Sequence, residues 1–214
     1  MAEIDVLQTG KMLVSSAVHN RDSKSGKFAY TGLFQSKKGR NDVPVKAFLI
    51  RINGKNVLVD TGWSEQCAIN PRHHLGLALY FSSQPTVTLN DSVAIGITTK
   101  QLDAVILTHL DCDHVSGLKD LKGAKHIYAT KEELEISILP NPRYRKALWQ
   151  GVEIEPIEMN YDSRAPFGKS CDLFGDGSVR IVYTPGHSAG SVCVVIKQNG
   201  KMAVIVGENG ISEK

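Results

Sequence analysis

The chain has 214 residues, 25 of them Lys or Arg and 22 Asp or Glu, for a formal net charge of +3. At 42% hydrophobic and 22% charged residues it has enough apolar side chains for a substantial core, which excludes a disordered chain. No apolar run reaches the roughly 18 residues of a membrane helix. With no Lys/Arg run or basic helix, neither a membrane nor a nucleic-acid partner is expected.

In chain order, the first ten residues carry Glu3 and Asp5 and no apolar stretch, so they do not read as an export signal. Cys67, Cys112, Cys171 and Cys193 are scattered without a CxxC pair, which points to free thiols and a cytoplasmic protein. The densest basic spot, Lys37, Lys38 and Arg40, reads as a solvated loop. Residues 45–52 and 57–59 are β-rich runs joined by Asn53-Gly54-Lys55-Asn56, a strong hairpin signal. The second run stops at Asp60-Thr61-Gly62. Residues 63–90 read as irregular, with a helix around 73–81. Residues 92–100 lead into Asp103-Ala104-Val105-Ile106-Leu107, short and continuously apolar as a buried strand should be.

Further on, residues 116–122 predict a short helix ended by Gly123, and 126–128 a strand. Lys131-Glu132-Glu133-Leu134-Glu135-Ile136 is amphipathic and follows Thr130, an N-cap; Pro140 and Pro142 break it. Residues 152–156 and 179–182 are strand candidates, separated by the turn-rich Asp172-Leu173-Phe174-Gly175-Asp176-Gly177. Residues 192–197 and 202–206 form a second hairpin across Asn199-Gly200. Strands alternating with helices, each leading to a polar loop, predict an α/β sandwich over residues 1–214.

The chemistry concentrates in His109-Leu110-Asp111-Cys112-Asp113-His114, four metal-ligating side chains in six residues directly after a buried strand. Imidazole and carboxylate both suit zinc, and also iron or manganese. Without a cation, so many such groups in a partly buried place would repel or stay unpaired. In Tyr183-Thr184-Pro185-Gly186-His187 a strand feeds a Pro-Gly turn from which His187 projects. By itself this is as readily a surface histidine; beside the first cluster it supplies a third ligand. Asp60, at a strand end, could fix the tautomer of a metal-bound histidine or simply start a turn. Cys112 reads as packing behind the loop or lining its mouth, and His73 and His74 as surface residues near it. Ser188 and Ser191 read as turn residues. His19 and His126 carry no functional expectation.

These stretches resemble the metallo-β-lactamase superfamily, whose hallmark is HxHxDH at a strand end. The Asp-Thr-Gly turn before it and the Thr-Pro-Gly-His turn after it match in order. Within the superfamily the chain is most similar to the N-acyl homoserine lactonases, over residues 45–208. The resemblance implies an αββα sandwich and a hydrolase that attacks a small ester or lactone with water activated at one or two divalent ions, zinc first and manganese or iron as alternatives. It implies a first metal held by His109, Asp111 and His187, and a second held by Asp113 and His114. Glu208 would bridge the two, Asp113 would act in catalysis, and Asp60 would support the ligands. The alternatives are a phosphodiesterase or RNA hydrolase of the same fold, and a degenerate binding domain.

Position 111 departs from the pattern by carrying Asp for His; Glu208 replaces an Asp. The chain ends at Lys214, before the last strand, helix and histidine of the pattern, and Ile211 stands where lactonases have a tyrosine. The expectation is a C-terminally incomplete domain with an open sheet edge, which a homodimer would cover.

Overall fold

A computed structural model describes residues 2–15, 39–88 and 99–208. His19, Lys37, Lys38, most of the run at 92–100 and Ile211 lie outside the described residues. Two sheets carry the fold. The first contains β1 (Glu3–Ser15), β2 (Arg40–Ile52), β3 (Lys55–Val59), β4 (Thr86–Val87), β5 (Ala104–Ile106), β6 (Ile127–Thr130) and β7 (Glu155–Ile157), in the order β4-β1-β2-β3-β5-β6-β7. The second contains β8 (Asn160–Tyr161), β9 (Lys169–Asp172), β10 (Val179–Tyr183), β11 (Val192–Gln198) and β12 (Lys201–Ile205), in the order β12-β11-β10-β9-β8. β3, β5, β6 and β7 pair in parallel and the other neighbours antiparallel.

Both Asn-Gly hairpins form. Arg51 pairs with Asn56 and Ile52 with Lys55. Asn53 and Gly54 take φ of 49° and 73°, and Asn199 and Gly200 take 52° and 74°. Positive φ at both central residues is what a turn matched to strand twist demands.

Residues 47–50 of β2, 57–59 of β3 and the whole of β5 are apolar without alternation because both their faces are covered. Ile50, Val57, Val59 and Ile106 face the second sheet and pack with Val179, Ile181, Val194 and Ile196. Leu49, Leu58 and Val105 face the opposite way, against Leu75, Leu110, Val115 and Leu118. Together these layers make the mixed α/β sandwich.

Four helices are described: α1 (Glu65–Ile69), α2 (Pro71–Ser83), α3 (Cys112–Val115) and α4 (Lys131–Ser137). None is long and apolar enough to cross a membrane. Residues 63–83 are thus more ordered than the sequence suggests. Ser64 caps α1, accepting a hydrogen bond from Cys67 N. α2 breaks at Gly76, whose φ is 74°. The Arg145 guanidinium donates to the freed carbonyls of His73 and His74 at 2.9 and 2.6 Å, and a side chain at position 76 would collide with it. Arg40 is not solvated: it is buried, donating to Leu13 O, Phe81 O and Ser82 O. The helix expected at 116–122 starts earlier, as α3 inside the ligand segment, followed by a 3-10 turn at Leu118–Leu121. β1 was not anticipated; its side chains lack a clean period of two.

Candidate metal centre

The ends of β3, β5 and β12 and the β10–β11 turn meet at one edge of the sandwich. A backbone hydrogen bond from Val192 N to Thr108 O, 3.0 Å, stitches the two sheets together there. β5 delivers His109, and α3 turns Asp113 and His114 the same way. The β10–β11 turn supplies His187, and Glu208 follows β12. His109, Asp111, His187 and Glu208 form one group with donor atoms mutually within 4.8 Å; Asp113, His114 and Glu208 form another. Glu208 belongs to both, its carboxylate 3.6 Å from His114 Nε2 and 2.7 Å from His187 Nε2. His109, Asp113 and His114 are buried, while Asp111, His187 and Glu208 are partly open at the rim.

The ring orientations follow from hydrogen bonds behind the site. Asp60, at the C-terminal end of β3, accepts from Thr108 N at 2.8 Å and from the Thr108 hydroxyl. That hydroxyl has one proton, so its lone pair is left to accept from His109 Nδ1, 3.0 Å away. Asp60 Oδ2 also accepts from His114 Nδ1 at 2.8 Å. Both rings therefore turn Nε2 toward the carboxylates. Thr61 clamps α3 from the same turn: its amide and hydroxyl both donate to His114 O at 2.8 Å, and its oxygen accepts from Gly117 N at 3.0 Å.

These donors fit a cation. His109 Nε2 is buried without a hydrogen-bond partner, although Asp111 Oδ2 is 3.3 Å away; a buried orphan of this kind needs an explanation. Asp111 Oδ2, at 2.9 Å, and Glu208 Oε2, at 2.7 Å, both converge on His187 Nε2, which can donate one proton. The imidazoles of His114 and His187 bind protons strongly. Burial alone would lower the His114 pKa, but Asp60 and Asp113 hold it well above the usual histidine range. Burial likewise opposes charging of His187, yet hydrogen bonds to Asp111 and Glu208 raise it to about 9. Burial would raise Asp111, but His109, His187 and Arg143 keep it well below the usual carboxylate range.

Three residues of this arrangement escaped sequence reasoning. Thr108 relays Asp60 to His109; a hydroxyl immediately before the first histidine was the available signal. Glu133 reads as a solvated residue of an amphipathic helix, yet it is fully buried. Its Oε1 accepts from Leu110 N and the Tyr144 hydroxyl, each at 3.0 Å; its Oε2 accepts from the Ser188 hydroxyl at 2.7 Å and Gly190 N at 3.1 Å. It thus ties the first ligand segment to the His187 turn. Arg143 forms a fork on Asp111. Cys112 packs behind the segment in the first core. His73 is exposed, whereas His74 is half-buried with Nε2 2.8 Å from the Ser116 hydroxyl. Exposed His126 pairs with Glu155.

A profile of the metallo-beta-lactamase superfamily matches residues 40–203. The chain belongs to that superfamily. Among superfamily relatives, a probable metallo-hydrolase of Mycobacterium bovis is 28% identical over 176 residues, covering 75% of this chain and 54% of its own length. The N-acyl homoserine lactonase AttM of Rhizobium radiobacter is 24% identical over 166 residues, covering 73% of this chain and 60% of its own. The chain therefore spans a little over half the length of these relatives. A solved N-acyl homoserine lactone hydrolase, with N-hexanoyl-L-homoserine at its catalytic metal centre, superposes with a TM-score of 0.68 at 22% identity, covering 92% of this chain and 70% of that one. That likeness establishes the shared fold.

Proposed function

We propose that the protein is a metal-dependent hydrolase of small esters or lactones, of the N-acyl homoserine lactone kind. The observation that carries the reading is the convergence of three imidazoles and three carboxylates on one edge, with His109 Nε2 buried and unpartnered among them. The lactonase names of the relatives support the substrate class.

In this reading His109, Asp111 and His187 hold a first divalent ion, Asp113 and His114 a second, and Glu208 reaches both. When bound, such ions supply a water of lowered pKa and a Lewis acid for the substrate carbonyl. Zinc suits the mixed imidazole–carboxylate donors, and three carboxylates also suit manganese or iron. Asp113 orients the attacking water and carries its proton to the leaving alkoxide. Asp60 and Thr108 keep the imidazoles of His109 and His114 turned inward. The buried floor excludes bulk water, and the rim at Asp111, His187 and Glu208 admits the ester.

The test is hydrolysis of N-hexanoyl homoserine lactone against bis(p-nitrophenyl) phosphate. Zinc-loaded protein should open the lactone faster, lose activity to a chelator, and lose it with His109→Ala. Faster cleavage of the phosphodiester would assign the substrate class elsewhere. Indifference to both chelator and mutation would remove the hydrolase reading.

A further inference from the structure

Asp111 is gripped from outside the ligand group. Arg143, in the segment after α4, sets its Nε against Asp111 Oδ1 and its Nη2 2.7 Å from Oδ2. Its Nη1 donates to His187 O at 2.8 Å. A single guanidinium therefore holds both chain segments that form the first ligand group. The pair is partly buried, with side-chain exposures of 31% for Arg143 and 16% for Asp111. A planar fork of this kind fixes a carboxylate in orientation as well as charge.

A carboxylate oxygen carries two lone pairs. Asp111 Oδ2 accepts from Arg143 and still lies 2.9 Å from His187 Nε2 and 3.3 Å from His109 Nε2. Its second lone pair faces those imidazoles, where it takes the His187 proton and, once that proton leaves, becomes available to whatever the imidazoles bind. The charges matter too. Asp111, Asp113 and Glu208 bring three negative charges to one edge, and Arg143 cancels one. Asp111 with Arg143 sums to zero, the charge of a neutral imidazole.

We infer that Asp111 and Arg143 work as a single neutral ligand unit, in which Arg143 is a positioning residue that lets a carboxylate serve in the first metal site. The inference rests on the metal-centre reading above. It makes the two residues interdependent. Without Arg143 the carboxylate loses its orientation; with His at 111 the guanidinium faces a cation with nothing to neutralise it.

The experiment is a zinc-affinity cycle on the metal-free 214-residue chain, by competition with a chromophoric chelator, with circular dichroism checking each fold. Arg143→Gln should weaken the first equivalent of zinc about 10- to 100-fold, the usual effect of losing a ligand's supporting partner. Asp111→His should weaken it also. The double variant Asp111→His/Arg143→Gln should bind roughly tenfold tighter than either single variant, a difference of about 1.4 kcal/mol, whereas additive losses would leave it weaker than both. Arg143→Lys, which keeps the charge and loses the fork, should fall between wild type and Arg143→Gln. A merely structural arginine predicts additive losses, which would overturn the inference, as would wild-type affinity in Arg143→Gln. His109→Ala separates the two levels. If it loses zinc while the Arg143 variants do not, only this inference falls. If it binds like wild type, the metal-centre reading falls and takes the inference with it.

Discussion

The imidazoles of His109 and His114 are each presented by a hydrogen bond at Nδ1, and Asp60 is the common origin of both. Its carboxylate reaches His114 directly and His109 through the Thr108 hydroxyl. Asp60→Ala should therefore lower zinc affinity about 10- to 100-fold while leaving all six proposed ligands in place; unchanged affinity in a chelator competition would count against the relay. Protons compete with the metal at the same atoms. The folded-state pKa of His187, about 9, lies above the ordinary 6.5. Its protonated pairing with Asp111 and Glu208 thus stabilises the metal-free chain fully below pH 6.5, and that contribution is lost as pH rises through 9. Zinc must displace this proton, so its affinity should climb between pH 6.5 and about 9 and flatten beyond. A pH-independent affinity over that window would contradict the assignment.

At the scale of elements, the ligand segments stay in register because a buried carboxylate on α4 holds them. Glu133→Ala would leave the amides of Leu110 and Gly190 and the hydroxyls of Ser188 and Tyr144 without their acceptor. At roughly 1–3 kcal/mol for each buried group left unsatisfied, with partial relaxation, the loss should be about 2–4 kcal/mol by denaturant unfolding. A loss below 1 kcal/mol would show that water replaces the carboxylate. Gly190 belongs to the same joint: a Cβ there would lie 2.3 Å from Glu133 N, so Gly190→Ala should disturb the His187 turn.

These joints mark where sequence reading stops. The two Asn-Gly hairpins, the buried strand before His109 and the Thr130 cap of α4 were legible because each is encoded within a few residues. So were His109, Asp111, Asp113, His114, His187 and Asp60 as a candidate set, to which the family resemblance alone added Glu208. Glu133, Arg143 and Arg40 were not. Local periodicity places a charged side chain in water by default, and only contacts across 23 residues or more, from Glu133 to Leu110, from Arg143 to Asp111 and from Arg40 to Leu13, reveal it as buried or engaged. β1 was missed for a related reason: its partner strand, β2, lies beyond a long intervening segment.

On the scale of the whole molecule, the site joins two sheets that pack on each other through an apolar layer. His109, Asp113 and His114 come from the first sheet; His187 and Glu208 come from the second. A cation bound between them stabilises only the assembled sandwich. At a free zinc concentration a hundredfold above its dissociation constant, the gain in unfolding free energy should be about 2.7 kcal/mol. It should appear as a raised melting temperature that a chelator abolishes. An unchanged melting temperature with bound zinc would place the metal elsewhere.

Everything proposed for this protein depends on the metal centre, and the decisive measurement is elemental analysis of metal per chain. The comparison is between wild type and His109→Ala, purified without added metal and then equilibrated with zinc. Wild type should hold one to two equivalents, with the first equivalent lost in His109→Ala. Zinc content below a tenth of an equivalent in both, or the same content in both, would contradict the metal centre.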